Sequence, residues 1–162
     1  MPEHWVVNAS PLIVLSKIGK AALLTQLADQ VVVPQAVAAE ILAGPVDDPA
    51  RQLISQGDFR LQEVAPHAEI LTWDLGAGET AVLSYALAVA GWTAVLDDGA
   101  ARRCARIFKL PCKGTLALVL LARKRQLIPS ASSVLRDLLA VGFRLDDAVI
   151  REALYRTVGE TW

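Results

Sequence analysis

The side chains able to do chemistry here are four acids, Glu40, Glu79, Asp97 and Asp98, together with the amide of Asn8. Asp97 and Asp98 follow the apolar run TAVL (93–96), and a helix-forming segment, GAARRCA, begins directly after them. Asn8 follows WVV (5–7) in the same way. Functional groups of open parallel sheets gather beyond the carboxyl ends of the strands, so Asn8 and the aspartate pair are expected at one sheet edge. On a helix turning about 100° per residue, Val82, Leu83, Ala86 and Ala90 fall within about 60° of Glu79. That places Glu79 at the start of an apolar face, where an unpaired carboxylate is costly to bury. Glu40 lies near Ala36 and Val37, at the edge of the apolar stripe of its own helix.

Carboxylates gathered within a few Å repel one another unless something neutralises them. A hard divalent cation does so, and Mg²⁺ or Mn²⁺ takes oxygen ligands while keeping several waters. Such an ion polarises phosphodiesters and makes bound water more acidic. The two histidines, His4 and His67, are far apart, and Cys104 and Cys112 form no CxxC, so a zinc site is not expected. Both cysteines read as ordinary thiols in a reducing cytosol. Glycoside cleavage also uses paired acids, but an aromatic content of 6% argues against the cleft it needs.

Each of these residues also has a purely structural reading. Asp98 suits the N-cap of the helix after it, a role that does not exclude a second one. Asp97 has no such local duty. Asn8 suits an Asx turn toward Ser10. Glu79 suits a wet first-turn acid on the helix dipole, and Glu40 suits the rim of an amphipathic helix.

The elements that must position these groups alternate along the chain. Strands are expected at 5–9, 31–33, 59–64 and 93–96, with a short edge strand in KLPC (109–112). Helices are expected after Ser10 (a cap, with Pro11 in the first turn), over 20–28, in PQAVAAEILAG (34–44) with Gly44 as its stop, over 49–56, and in GAGETAVLSYALAVAG. Others should cover about 99–108, 114–126, 130–142 and 146–158. LALVLL (116–121) is read as core rather than a dimer face. Apolar strands alternating with helices predict an α/β fold, a parallel sheet covered on both faces. The 162 residues suit one domain, 1–162, and 54% hydrophobic residues can fill its core. A net charge of −1 makes any basic surface a local one. With no basic region before an apolar one in MPEHWVVNA, and no apolar run of membrane length, a cytoplasmic protein is expected.

Pieces of the chain, in order, resemble the PIN-domain superfamily: NASPLIVLSKIG (8–19), VPQAVAAEI (33–41), LGAGETAVLSYA (75–86), LDDGAARRCA (96–105), KGTLALVLLAR (113–123) and VGFRLDDAVI (141–150). The likeness is closest to a PIN-like branch with SPLI after the first strand. It implies a three-layer α/β/α fold around a short parallel sheet. It also implies an acidic Mg²⁺ or Mn²⁺ site, activity on single-stranded RNA, and kinship with VapC-type toxins, which are usually dimeric and held by a cognate antitoxin. Carried over by position, the site uses Asn8, Glu40, Glu79 and Asp97 or Asp98. The superfamily usually has Asp where this chain has Asn8; an amide oxygen still coordinates a hard ion, but without charge. Ser10 adds an oxygen or holds a water on the ion.

A substrate path is expected along Arg102, Lys113 and Thr115, with Arg103 and Arg106 nearby. Arg102 and Arg106 share a helix face, and the helix opening at KGT offers an N-terminus that attracts phosphate. Solvated charges, an ordinary cap and an Arg102–Asp98 pair are the plainer readings. The leading function is thus a metal-dependent ribonuclease of PIN type, the toxin of a toxin–antitoxin pair. Its rival is a catalytically weakened domain that binds RNA or protein. A phospho-accepting receiver or phosphatase-like domain is disfavoured, because Asn8 is a poor nucleophile.

Overall fold

Strands buried on both faces need no polar alternation, and WVV (5–7) and VVV (31–33) have none, whereas Arg60-Leu61-Gln62 alternates as a partly exposed strand does. The computed structural model describes residues 2–162. Its strands are β1 (His4–Val7), β2 (Gln30–Pro34), β3 (Arg60–Gln62), β4 (Trp92–Val95) and β5 (Cys112–Lys113). All pair in parallel, in the order β3-β2-β1-β4-β5. Trp5, Val6, Val7, Val32, Val33, Ala94 and Val95 are wholly buried. The Trp5 indole N–H still finds a partner, the Glu3 carboxylate, at 2.9 Å.

The helices are α1 (Ala9–Lys17), α2 (Ala22–Leu27), α3 (Gln35–Ala43), α4 (Pro49–Ser55), α5 (Ala68–Leu71), α6 (Ala77–Ala88), α7 (Gly99–Ile107), α8 (Thr115–Lys124), α9 (Ala131–Ala140) and α10 (Asp147–Val158). They fall into two packed groups. One joins α1, α3, α4, α5, α6 and α7; the other joins α2, α8, α9 and α10. The result is a three-layer α/β/α fold, as the alternation of elements predicts. Among the described residues, no helix is long and apolar enough to cross a membrane.

Only α5 has no counterpart in the sequence reading. It is a single turn, and the ring of His67 caps it by accepting from the Glu69 N–H at 3.2 Å. So short a segment carries no periodicity to read. The expected Ser10 cap is also corrected. Asn8 holds the N-cap position of α1, neither side chain caps the helix, and the Ser10 hydroxyl turns to Asp97. Leu118, Val119 and Leu120 are buried, so the middle of the 116–121 run is core, while Leu116, Ala117 and Leu121 are half-buried.

The last helices are tied down by one carboxylate. Glu160 accepts from the N–H groups of Ala131 and Ser132 at 3.0 and 2.9 Å, from the Ser130 hydroxyl at 3.2 Å, and from Arg123 at 3.1 Å. It thus sits on the N-terminus of α9, where backbone donors and the helix dipole favour negative charge. Burial works to raise its pKa, but the hydrogen bonds from Ser132, Ala131 and Ser130 outweigh this and hold it below its ordinary value. A lowered folded pKa gives stability that is present above the ordinary value and lost as pH falls through the folded one. Glu160→Gln should therefore cost about 1–3 kcal/mol at neutral pH. In urea titrations against pH, its gap from the parent should close on acidification; a gap that does not change with pH would contradict the anchoring role.

Candidate functional site

The sheet order makes β1 and β4 neighbours, with Val7 opposite Val95. The backbone N–H of Asn8 continues that ladder, donating to the Val95 carbonyl at 2.9 Å. Asn8 and Asp97 therefore leave the same sheet edge side by side. Connections leave β1 and β4 toward opposite ends of the sheet, which makes this a topological switch point. A cavity of about 350 Å³ opens there, lined by Asn8, Ser10, Glu79, Asp97, Asp98 and the Gly142–Arg144 loop.

Asn8 is 3% exposed. Its amide N–H donates to Glu79 Oε1 at 3.4 Å, and its Oδ1 is buried with no hydrogen-bond partner. A buried, unpartnered amide oxygen is costly. Gly78 leaves room for the side-chain ends gathered here: a Cβ in its place would stand 2.8 Å from Glu40 Oε2 and 3.0 Å from Asn8 Oδ1. Glu40 is largely exposed, yet its carboxyl end is drawn over Gly78. Loss of solvent there, and then the charge of Glu79, raise its pKa above the ordinary value. Glu40 does not line the cavity.

Asp97 is the most firmly held acid of the site. Its Oδ1 accepts from the Thr115 N–H at 2.7 Å, and its Oδ2 from the Thr115 hydroxyl at 2.7 Å and the Ser10 hydroxyl at 3.5 Å. The α8 N-terminus, expected to attract a phosphate, thus receives a carboxylate of the chain itself. Thr115 is wholly buried, with both donors committed to Asp97, so it positions the acid and has none left for a substrate. Gly114 keeps the approach open: a Cβ there would meet Arg102 Nη1 at 2.5 Å and Asp97 Oδ1 at 2.9 Å.

Asp98 caps α7 through the Ala101 N–H at 2.9 Å, as expected, and also borders the cavity. Arg102 reaches the Leu96 carbonyl at 3.5 Å rather than pairing with Asp98. Lys113 is half-buried opposite Val95 and does not line the cavity. The residue that sequence reasoning missed is Arg144. It is exposed at the cavity rim, and among the described residues it forms no ion pair. Its segment, VGFRLDDAVI, carried the family resemblance, but nothing local marks a loop arginine as facing a strand end 47 positions earlier.

Among the described residues, no three of Asp, Glu, His and Cys are grouped so as to hold one metal ion. Of the four acids expected in the shell, Glu79, Asp97 and Asp98 border the cavity and Glu40 does not. Beside Asp98, the cap of α7, the cavity offers Glu79 and Asp97, the latter already held by the α8 N-terminus, with the neutral oxygens of Asn8 and Ser10. That set still fits a hard divalent ion, which typically binds through one or two carboxylates and completes its shell with water and phosphate. Asn8 Oδ1, buried and unpartnered, is an oxygen such an ion would satisfy.

A family model described as DUF3368: PIN domain matches residues 4–160. The chain belongs to this PIN-domain family. PIN domains are generally nucleases, and they generally use divalent metal ions. No curated protein matches the chain significantly.

If Thr115 fixes Asp97, Thr115→Val removes one charge-assisted hydrogen bond without changing shape. Urea denaturation should show a loss of about 1–2 kcal/mol. Unchanged stability would mean that the hydroxyl does not restrain the acid.

Proposed function

We propose that this PIN domain is a metal-dependent ribonuclease acting on single-stranded RNA. The observation that carries this reading is the shared cavity of Glu79 and Asp97 at the β1–β4 switch point, with an unpartnered Asn8 oxygen beside it. Glu79 and Asp97 are the charged ligands; Asn8 and Ser10 supply neutral oxygens; Asp98 borders the site while capping α7. Bound there, Mg²⁺ or Mn²⁺ supplies polarisation of the scissile phosphodiester and a more acidic water. Asp97, fixed by the N-terminus of α8, keeps its place as charge develops on the oxygens of the phosphoryl group. Glu79 is restrained from one side only, by Asn8. Arg144 offers the phosphate chain a cation at the rim. The order of the family motifs supports a further assignment, as the toxin of a toxin–antitoxin pair, acting as a homodimer in the cytoplasm.

A second reading is favoured by Asn8 and by the absence of a three-acid group among the described residues. In it the domain has lost catalysis and binds RNA or a protein. Glu79→Gln separates the two. With the circular dichroism spectrum unchanged, it should reduce Mn²⁺-dependent cleavage of single-stranded RNA by about a hundredfold or more. Asn8→Asp adds a like charge beside Glu79, so it should lower the metal-free Tm and enlarge the Tm gain on adding Mn²⁺. A parent without cleavage, together with an Asn8→Asp variant that gains nothing from Mn²⁺, would leave the binding module standing.

A further inference from the structure

A second cavity, of about 330 Å³, adjoins the acidic one and shares Asp97, Phe143 and Arg144 with it. Its character is different. Leu116, Ala117 and Leu120 of α8 form one wall, and Phe143, Leu145 and Val149 form the other. Arg102 and Arg144 also line it. Val149 is 47% exposed and Leu116, Ala117 and Leu145 are half-buried, so the slot is open and apolar beside the proposed reaction centre.

We infer that this slot holds one unstacked base of the nucleic acid, next to the phosphate at Asp97; the inference rests on the nuclease reading above. Three features fit a nucleotide better than an apolar peptide. The slot is small, at the low end of ligand pockets of about 300–1,000 Å³. Its cations, Arg102 and Arg144, suit the phosphates on either side of an inserted base, and guanidinium planes also stack on bases. Its junction with the acidic cavity at Asp97 and Arg144 places base and phosphate one nucleotide apart, as splayed single strands are bound. A duplex keeps its bases stacked inside, so the slot selects single strands.

The test is binding in EDTA of a single-stranded oligoribonucleotide carrying 2-aminopurine, whose emission rises when the base leaves its neighbours. The parent and the inactive Glu79→Gln variant should both bind with brightening. Ala117→Phe, which fills the slot at a half-buried position without changing charge, should bind about tenfold or more weakly, with the brightening lost. Its circular dichroism spectrum and its Tm check that it folds; should it not, Val149→Ser at the exposed mouth should lower affinity in the same direction. If slot variants bind and brighten in EDTA, and cleave in Mn²⁺, as the parent does, the inference is wrong and the nuclease reading survives, leaving the slot to a protein partner. If the parent neither cleaves nor binds the oligonucleotide, both fall.

Discussion

The parallel pairing of β1 with β4 is the constraint on which the site depends. The two strands are 85 or more residues apart in sequence, yet their register sets Val7 against Val95. Because a parallel ladder aligns chain ends as well as chain faces, Asn8 and Asp97 emerge together. Wholly buried Trp5, Val6, Ala94 and Val95 hold that register by fit, since a slip of one residue would set the Trp5 indole where a far smaller side chain packs. No local interaction could bring an amide near residue 8 and a carboxylate near residue 97 to one cavity.

From that edge outward, each acid is managed separately. Asp97 rests on the N-terminus of α8, where two donors of Thr115 oppose its charge. Asp98 rests on the N-terminus of α7. Glu79 has the Asn8 amide, and Glu40 stands outside the cavity, its pKa raised by burial and by Glu79. Helix ends thus take up much of the negative charge that the sequence concentrates around the switch point. This explains how acids crowd one sheet edge without forming a three-acid group. Among the described residues, it also leaves Asn8 Oδ1 as a buried side-chain oxygen for which the protein itself provides no partner.

Most of the fold was legible in the sequence because its signals are local. VVV at 31–33, TAVL at 93–96 and the capped helix after Asp98 each announce their element through composition and period, and β4 merely begins one residue earlier, at Trp92. That Asn8, Glu79 and Asp97 would meet at one cavity was legible because strand ends and a polar residue on an apolar helix face are local features too. Three things were not. Glu40 looked like a weaker counterpart of Glu79, but its carboxylate lies against Gly78 and does not line the cavity. Thr115 read as a substrate contact because a helix N-terminus attracts any anion, and only the tertiary fold says which anion arrives. Arg144 lies in a loop whose relation to β4 is set by the packing of α8, α9 and α10.

The central claim is that Glu79 and Asp97 share one divalent cation at the β1–β4 switch point. Anomalous scattering from crystals soaked in Mn²⁺ tests it most directly. The account predicts a single strong peak in direct bonding contact with a carboxylate oxygen of each acid and within reach of Asn8 Oδ1. A peak bound elsewhere on the chain, or a cavity holding only water at saturating Mn²⁺, would contradict it.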